Sequence, residues 1–277
     1  MKSLEVEAIA GGYHHDPFRV LGPHATDPSH WEVRAFLPHA RELWTLLNGQ
    51  AHAMKREHPH GFFRVRFDGV PRRYRLRWQD WQGAMHESED PYRFGPLLTE
   101  FELHLHGEGT HYETYNMLGA HLQEVDGVQG VRFAVWAPNA QVVSVVGDFN
   151  GWDTRVHPMR LRDGGVWEIF LPGLGAGAHY KYFVRSRFHG YEMMKTDPYA
   201  FHAETPPLTA SRVWDPEKYQ WQDGEYMRNR AHRDLLREPV AIYEVHLESW
   251  LRKPDGSPPG YRELADTLIP YVKKVPH

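Results

Sequence analysis

The chain has 277 residues, a formal net charge of −4 and no cysteine. That charge gives no electrostatic case for nucleic acid or an anionic membrane. The missing thiols exclude disulfides, thiolate metal sites and Cys nucleophiles. Hydrophobic content of 41% and charged content of 25% are ordinary for a soluble globular protein, and the length predicts roughly two domains. Residues 1–12 carry two acids and no apolar run, unlike a secretory signal. No stretch approaches the roughly 18 apolar residues of a membrane span, so a cytoplasmic protein is expected. His is frequent, 20 in all. Its clusters, His14-His15-Asp16 and His104–His106 with His111, match no metal-ligand spacing, so neither metal nor cofactor is expected.

In chain order, five features recur about 97–107 positions apart. Leu21-Gly22-Pro23-His24 returns as Leu118-Gly119-Ala120-His121, and Trp31–Pro38 returns as Val131–Pro138. Phe62–Phe67 matches Val166–Leu171, Tyr74–Trp78 matches Tyr180–Val184, and Asp90-Pro91-Tyr92 returns as Asp197-Pro198-Tyr199. Such order marks two tandem modules. Within each, apolar residues alternate: Phe63, Val65 and Phe67, then Trp167, Ile169 and Leu171. Period two with one polar face predicts antiparallel sheets packed on one side. Short strands with turn signals about every 8–12 residues predict an immunoglobulin-like sandwich for each module.

Both modules have a hairpin here, but only the second follows it with a Trp-bearing loop. Val131–Trp136 and Gln141–Val146 flank a Pro138-Asn139-Ala140 turn, and the loop Gly147-Asp148-Phe149-Asn150-Gly151 then presents Trp152. Such a Trp is either a plug dropped into the sandwich core or a ring left out for a flat ligand. A Pro-rich connector follows over residues 201–223, then a charged, partly helical segment. Val240–Leu247 is nearly continuous in apolar and aromatic residues, as in a strand buried on both faces. Leu264, Leu268, Val272 and Val275 sit at helical spacing, with Pro270 expected to bend or break that helix. Strand, loop and helix read as the opening of a parallel α/β fold.

These residues resemble a known family. His14-His15-Asp16-Pro17-Phe18, Asp148-Phe149-Asn150-Gly151-Trp152, Asp197-Pro198-Tyr199 and Tyr243-Glu244-Val245-His246-Leu247 are similar to the N-terminal part of bacterial 1,4-α-glucan (glycogen) branching enzymes. The resemblance implies a first sandwich over residues 1–105 and a family 48 carbohydrate-binding module over 106–225. It implies a linker and the truncated start of a (β/α)8 barrel of glycoside hydrolase family 13 over 226–277. The implied fold is mainly β: two tandem sandwiches, then the first strand and helix of an incomplete barrel. Such enzymes cut an α-1,4 glucan and rejoin the piece at an α-1,6 position. Retention in that chemistry needs two carboxylates about 5 Å apart, which lie on later barrel strands. No catalytic residue is therefore expected in this chain, which reads as a non-catalytic N-terminal fragment.

The implied partner is α-1,4-glucan, as glycogen or maltooligosaccharides. Pyranose C–H faces need flat apolar rings, and hydroxyls need polar groups. Trp152 is the leading ring and Asn150 a hydroxyl partner from the same loop. Lys181, on the outward phase of its strand, resembles a sugar-contacting Lys of related modules, with Phe188 or Tyr191 as a second platform. Two other readings stay open. One is a stand-alone glucan-binding or scaffolding module, the other a piece of a debranching or trehalose-releasing enzyme of family 13.

Overall fold

The computed structural model describes residues 3–70, 72–234, 236–237 and 239–275. Two compact units divide the chain, Met1–Lys218 and Tyr219–His277. The first unit opens with helix α1 (Ser3–Ala10) and eight strands: β1 (Gly22–Asp27), β2 (His30–Phe36), β3 (Ala40–Leu47), β4 (Gln50–Ala53), β5 (Lys55–His58), β6 (Phe62–Asp68), β7 (Arg75–Asp80) and β8 (Met85–Ser88). They form two antiparallel sheets, β1-β2-β6-β5 and β4-β3-β7-β8. Trp31, Val33, Leu43, Phe63, Tyr74 and Leu76 fill the space between them.

Helices α2 (Glu100–Glu108) and α3 (Thr114–Met117) lead to the second set of strands. These are β9 (Gly119–Val125), β10 (Val128–Trp136), β11 (Ala140–Gly147), β12 (Arg160–Leu161), β13 (Val166–Pro172), β14 (His179–Ser186), β15 (Glu192–Lys195), β16 (His202–Ala203) and β17 (Ser211–Arg212). One sheet runs β12-β13-β10-β9 and the other β11-β14-β17-β16, with β15 also on β14.

The expected duplication is there in the pairing. β1-β2-β6 repeats as β9-β10-β13, β3-β7 as β11-β14, and β7-β8 as β14-β15. Side chains repeat too: Tyr74 donates to Asp90 at 2.5 Å, and Tyr180 to Asp197 at 2.6 Å. Each Asp also accepts the backbone N–H two residues on, from Tyr92 and Tyr199, so Asp-Pro-Tyr is the turn that closes each module. The modules part after the third repeated strand. In the first, Asn48 and Gly49 take φ of 51° and 79°, the two-residue turn that folds β3 straight back into β4.

The sandwiches share an apolar junction. Ile9, Ala10, Leu21, Phe36, Phe62 and Tyr92 pack into the same core as Phe133, Val145 and Trp167. The Tyr92 hydroxyl lies 3.2 Å from the Val156 carbonyl and 3.3 Å from that of Pro158.

One expectation fails on the second sandwich: β10 has no solvated face, because Val131–Val135 are buried throughout, Arg132 among them. The linker covers the outer side of its sheet. Leu98, Leu103, Met117 and Leu118 pack on Ala134 and Val166. A Thr99–Glu102 capping box starts α2 and a left-handed Gly109 ends it.

The expected barrel strand also fails. Val240–His246 joins no ladder, and Val240 and Ile242 are 69% and 88% exposed. A strand buried on both faces needs neighbours on both edges, and among the described residues this unit holds no other strand. Helices α4 (Gly224–Arg230), α5 (Leu247–Trp250) and α6 (Tyr261–Val272) make up its regular structure. The apolar spacing of α6 holds, with Leu264 buried and Leu268 and Val272 half-buried. Pro270 does not end it; so near the C-terminus, one missing N–H forfeits one bond. No helix among the described residues is long and apolar enough to cross a membrane.

Candidate functional site

The Trp152 loop begins where β11 ends, with Val146 and Gly147 opposite Lys181 and Tyr180 of β14. Gly147 is required by close approach: a Cβ there would stand 2.2 Å from the His179 carbonyl. Asn150 is buried, and its amide is spent inside the loop. Its Oδ1 accepts from Gly147 N at 3.0 Å, and its Nδ2 donates to the Val145 carbonyl at 2.9 Å and to His157 Nδ1 at 3.0 Å. The expectation that Asn150 offers its amide to hydroxyls is therefore corrected, because every polar group it has is committed to holding the turn.

Gly151 and Trp152 both take left-handed backbone, φ 60° and 59°. For Trp this conformation costs of order 1–3 kcal/mol and persists only where the surroundings fix it. Two bonds do so: Trp152 N donates to the Gly147 carbonyl at 3.0 Å, and the indole Nε1–H donates to Asp148 at 2.9 Å. The ring is half-buried and belongs to none of the apolar cores. Of the two readings of this Trp, the plug is excluded.

Polar groups surround that loop. The second oxygen of Asp148 lies 3.4 Å from His179 Nδ1, and Glu204 lies 3.8 Å from His179 Nε2. Lys181 shares the outward phase of β14 with His179, since Tyr180 and Tyr182 point into the core, and its Nζ donates to Thr209 at 2.7 Å. Sequence reasoning missed Asp148, His179, Thr209 and Glu204. His179 had a signal, standing two residues before Lys181 on one strand face. Thr209 and Glu204 lie in the connector and had none.

Phe188 and Tyr191 do not join this group. They sit at the tip of the β14–β15 hairpin, where Arg187 N donates to the Asn139 carbonyl at the start of β11. Five residues separate Lys181 from Ser186, about 17 Å of strand. The second platform expected there is thus placed at the opposite end of the sheet. Tyr191 instead faces Lys195, whose Nζ is 5.6 Å from its ring.

His157, which anchors Asn150, has its imidazole pushed from 6.5 down to about 3, first by burial and then by the charge of His39. A depressed folded value means its stabilising contribution is full above pH 6.5 and is lost as pH falls toward 3. His157→Gln is expected to flatten the fall of the thermal midpoint between pH 6.5 and 4. An acid limb of unchanged slope would show that another group carries it.

Residues 2–92 match the family described as alpha-1,4-glucan branching enzyme GlgB, N-terminal domain. Residues 117–200 match Carbohydrate-binding module 48 (Isoamylase N-terminal domain). The chain is 51% identical over 271 residues to the 1,4-alpha-glucan branching enzyme GlgB of Rubrobacter xylanophilus, covering 96% of this chain and 37% of that protein. It is 49% identical over 275 residues to that of Paramagnetospirillum magneticum, covering 98% and 37%. Over almost its whole length the chain is similar to the N-terminal part of the glycogen branching enzymes. It spans somewhat over a third of the length of the curated branching enzymes it matches. The Trp152 loop falls in the branching-enzyme region matched as a carbohydrate-binding module. Among solved structures, a pullulanase from Anoxybacillus sp. LM18-11 is 16% identical with a TM-score of 0.33, covering 72% of this chain and 28% of that one.

Proposed function

We propose that this chain is the glucan-holding, non-catalytic part of a glycogen branching enzyme, and that its second sandwich binds α-1,4-glucan through Trp152 and Lys181. One observation carries the reading: a Trp in strained backbone is held at the surface by Asp148, with outward Lys181 on the strand opposite the start of its loop. Preorganised aromatic surface lowers the ordering cost of binding. The cutting and rejoining of α-1,4 chains belongs to the part of the relatives that this sequence does not span. The first module runs from α1 to about Phe94. The segment from Leu97 goes with the second module on whose sheet it packs, and residues 226–277 are the approach to the catalytic barrel.

Calorimetric titration with maltoheptaose tests this. Wild type is expected to bind, and Trp152→Ala to weaken binding at least tenfold, about 1.4 kcal/mol. Phe188→Ala is expected to leave it unchanged. No heat from wild type, or equal affinity in Trp152→Ala, would remove the site.

A further inference from the structure

Behind the Trp152 loop lies a cavity of about 220 Å³ that neither module forms alone. Phe36 and Trp78 of the first sandwich, Tyr92 of the closing turn and Phe149 of the loop wall it with aromatic surface. His39 and His157 line it as well. The loop fixes the state of His157. The Asn150 amide is oriented by two backbone partners, so it donates to Nδ1, and the proton of the neutral ring must sit on Nε2. That Nε2–H has no partner among the described residues, and neither has any polar atom of the His39 ring. Burial holds both imidazoles below their ordinary value, and hence neutral at pH 7.

Charge narrows the ligand further. Among the described residues no Lys or Arg lines the cavity, which argues against phosphorylated sugars and nucleotides. Its two carboxylates are already used. Glu89 pairs with Arg73 and Arg93, and Asp90 accepts from Tyr74 and Tyr92, so a cation gains nothing there. The volume falls below the roughly 300–1,000 Å³ of pockets for drug-sized ligands. What remains is a small neutral molecule with a flat C–H face for the rings and hydroxyls for two uncharged imidazoles.

We propose that the cavity between the two sandwiches is a second carbohydrate site that takes one neutral pyranose, a glucosyl unit, between Trp78 and Phe149 with hydroxyls on His39 and His157. It is separate from the Trp152 surface. Only the choice of glucose among neutral pyranoses rests on the glucan reading above.

The test follows the imidazole signals of His39 and His157 by NMR while methyl α-glucopyranoside is added to about 50 mM, above the millimolar Kd that so few contacts allow. Both rings are expected to shift with saturation, in wild type and equally in Trp152→Ala. Leu174→Trp, which fills the cavity from its wall, is expected to weaken the response at least tenfold. If that variant does not fold, His39→Gln replaces it, with a several-fold loss expected. Unmoved rings in folded wild type would overturn the proposal. A response as strong to glucose 6-phosphate, or one abolished by Trp152→Ala, would overturn it too. Neither unmoved rings nor a response to glucose 6-phosphate bears on maltoheptaose binding at Trp152.

Discussion

Replacing Glu168 by Ala is expected to destabilise the second sandwich by about 3–5 kcal/mol, the cost of taking from a buried charge its buried partner and from two amides their acceptor. Glu168 is 3% exposed on the outer face of β13. It accepts the backbone N–H groups of Leu97 and Leu98 at 3.2 and 3.0 Å, and it pairs with Arg162. Arg162 continues the clamp to the Leu98 carbonyl at 3.0 Å and to Glu100 at 2.6 Å. Alanine would strand two amides under the linker and leave the guanidinium only the Leu98 carbonyl and the exposed Glu100. The loss should appear as a lower urea midpoint, with faster hydrogen exchange at Leu97 and Leu98. Glu168→Gln keeps one acceptor and should fall between. A loss below about 1 kcal/mol would mean that the linker is held by apolar contact alone.

Asp197→Ala and its twin Asp90→Ala are each expected to cost about 2 kcal/mol, at about 1 kcal/mol or more for each of two buried donors left unpaired. Asp197 accepts from Tyr180 OH and Tyr199 N, and it shares the Tyr182 hydroxyl with the Ala134 carbonyl, each at 3.3 Å, so that hydroxyl keeps an acceptor when Asp197 is removed. Asp90 accepts from Tyr74 OH and Tyr92 N only. Burial pushes the Asp90 carboxyl from 3.8 up to about 6, against the hydrogen bonds that lower it. A raised folded value means its contribution is full below pH 3.8 and is lost as pH rises through 6. Asp90→Asn should therefore improve relative to wild type between pH 4 and pH 7. Losses that differ by more than about 1 kcal/mol between the two alanine variants would refute the donor count.

The duplication was legible because it rests on local chemistry. Asp-Pro-Tyr makes the same turn wherever it stands, and alternating Trp167, Ile169 and Leu171 can face only one side of a strand. Glu168 and Arg132 were illegible for the same reason. Between apolar neighbours they read as outward and solvated, and only the linker, folding back from residues 97–117, buries them. The Val240–His246 stretch misled in the opposite direction. Its composition suits a central strand, but strand formation belongs to partners, and the described residues of its unit supply none. The surface position of Trp152 and the outward phase of Lys181 were readable from loop chemistry and strand alternation. Phe188 and Tyr191 were misplaced because the hairpin length between β14 and β15 sets which end of the sheet they reach.

Whether the second sandwich carries a glucan surface at its Trp152 end is tested most directly by following backbone and indole N–H signals during titration with maltoheptaose. The Trp152 indole and the amides of Gly147–Trp152, Lys181 and Thr209 are expected to move together, while those of Phe188 and Tyr191 stay still. Shifts gathered at residues 187–191, with the Trp152 indole unmoved, would contradict the account.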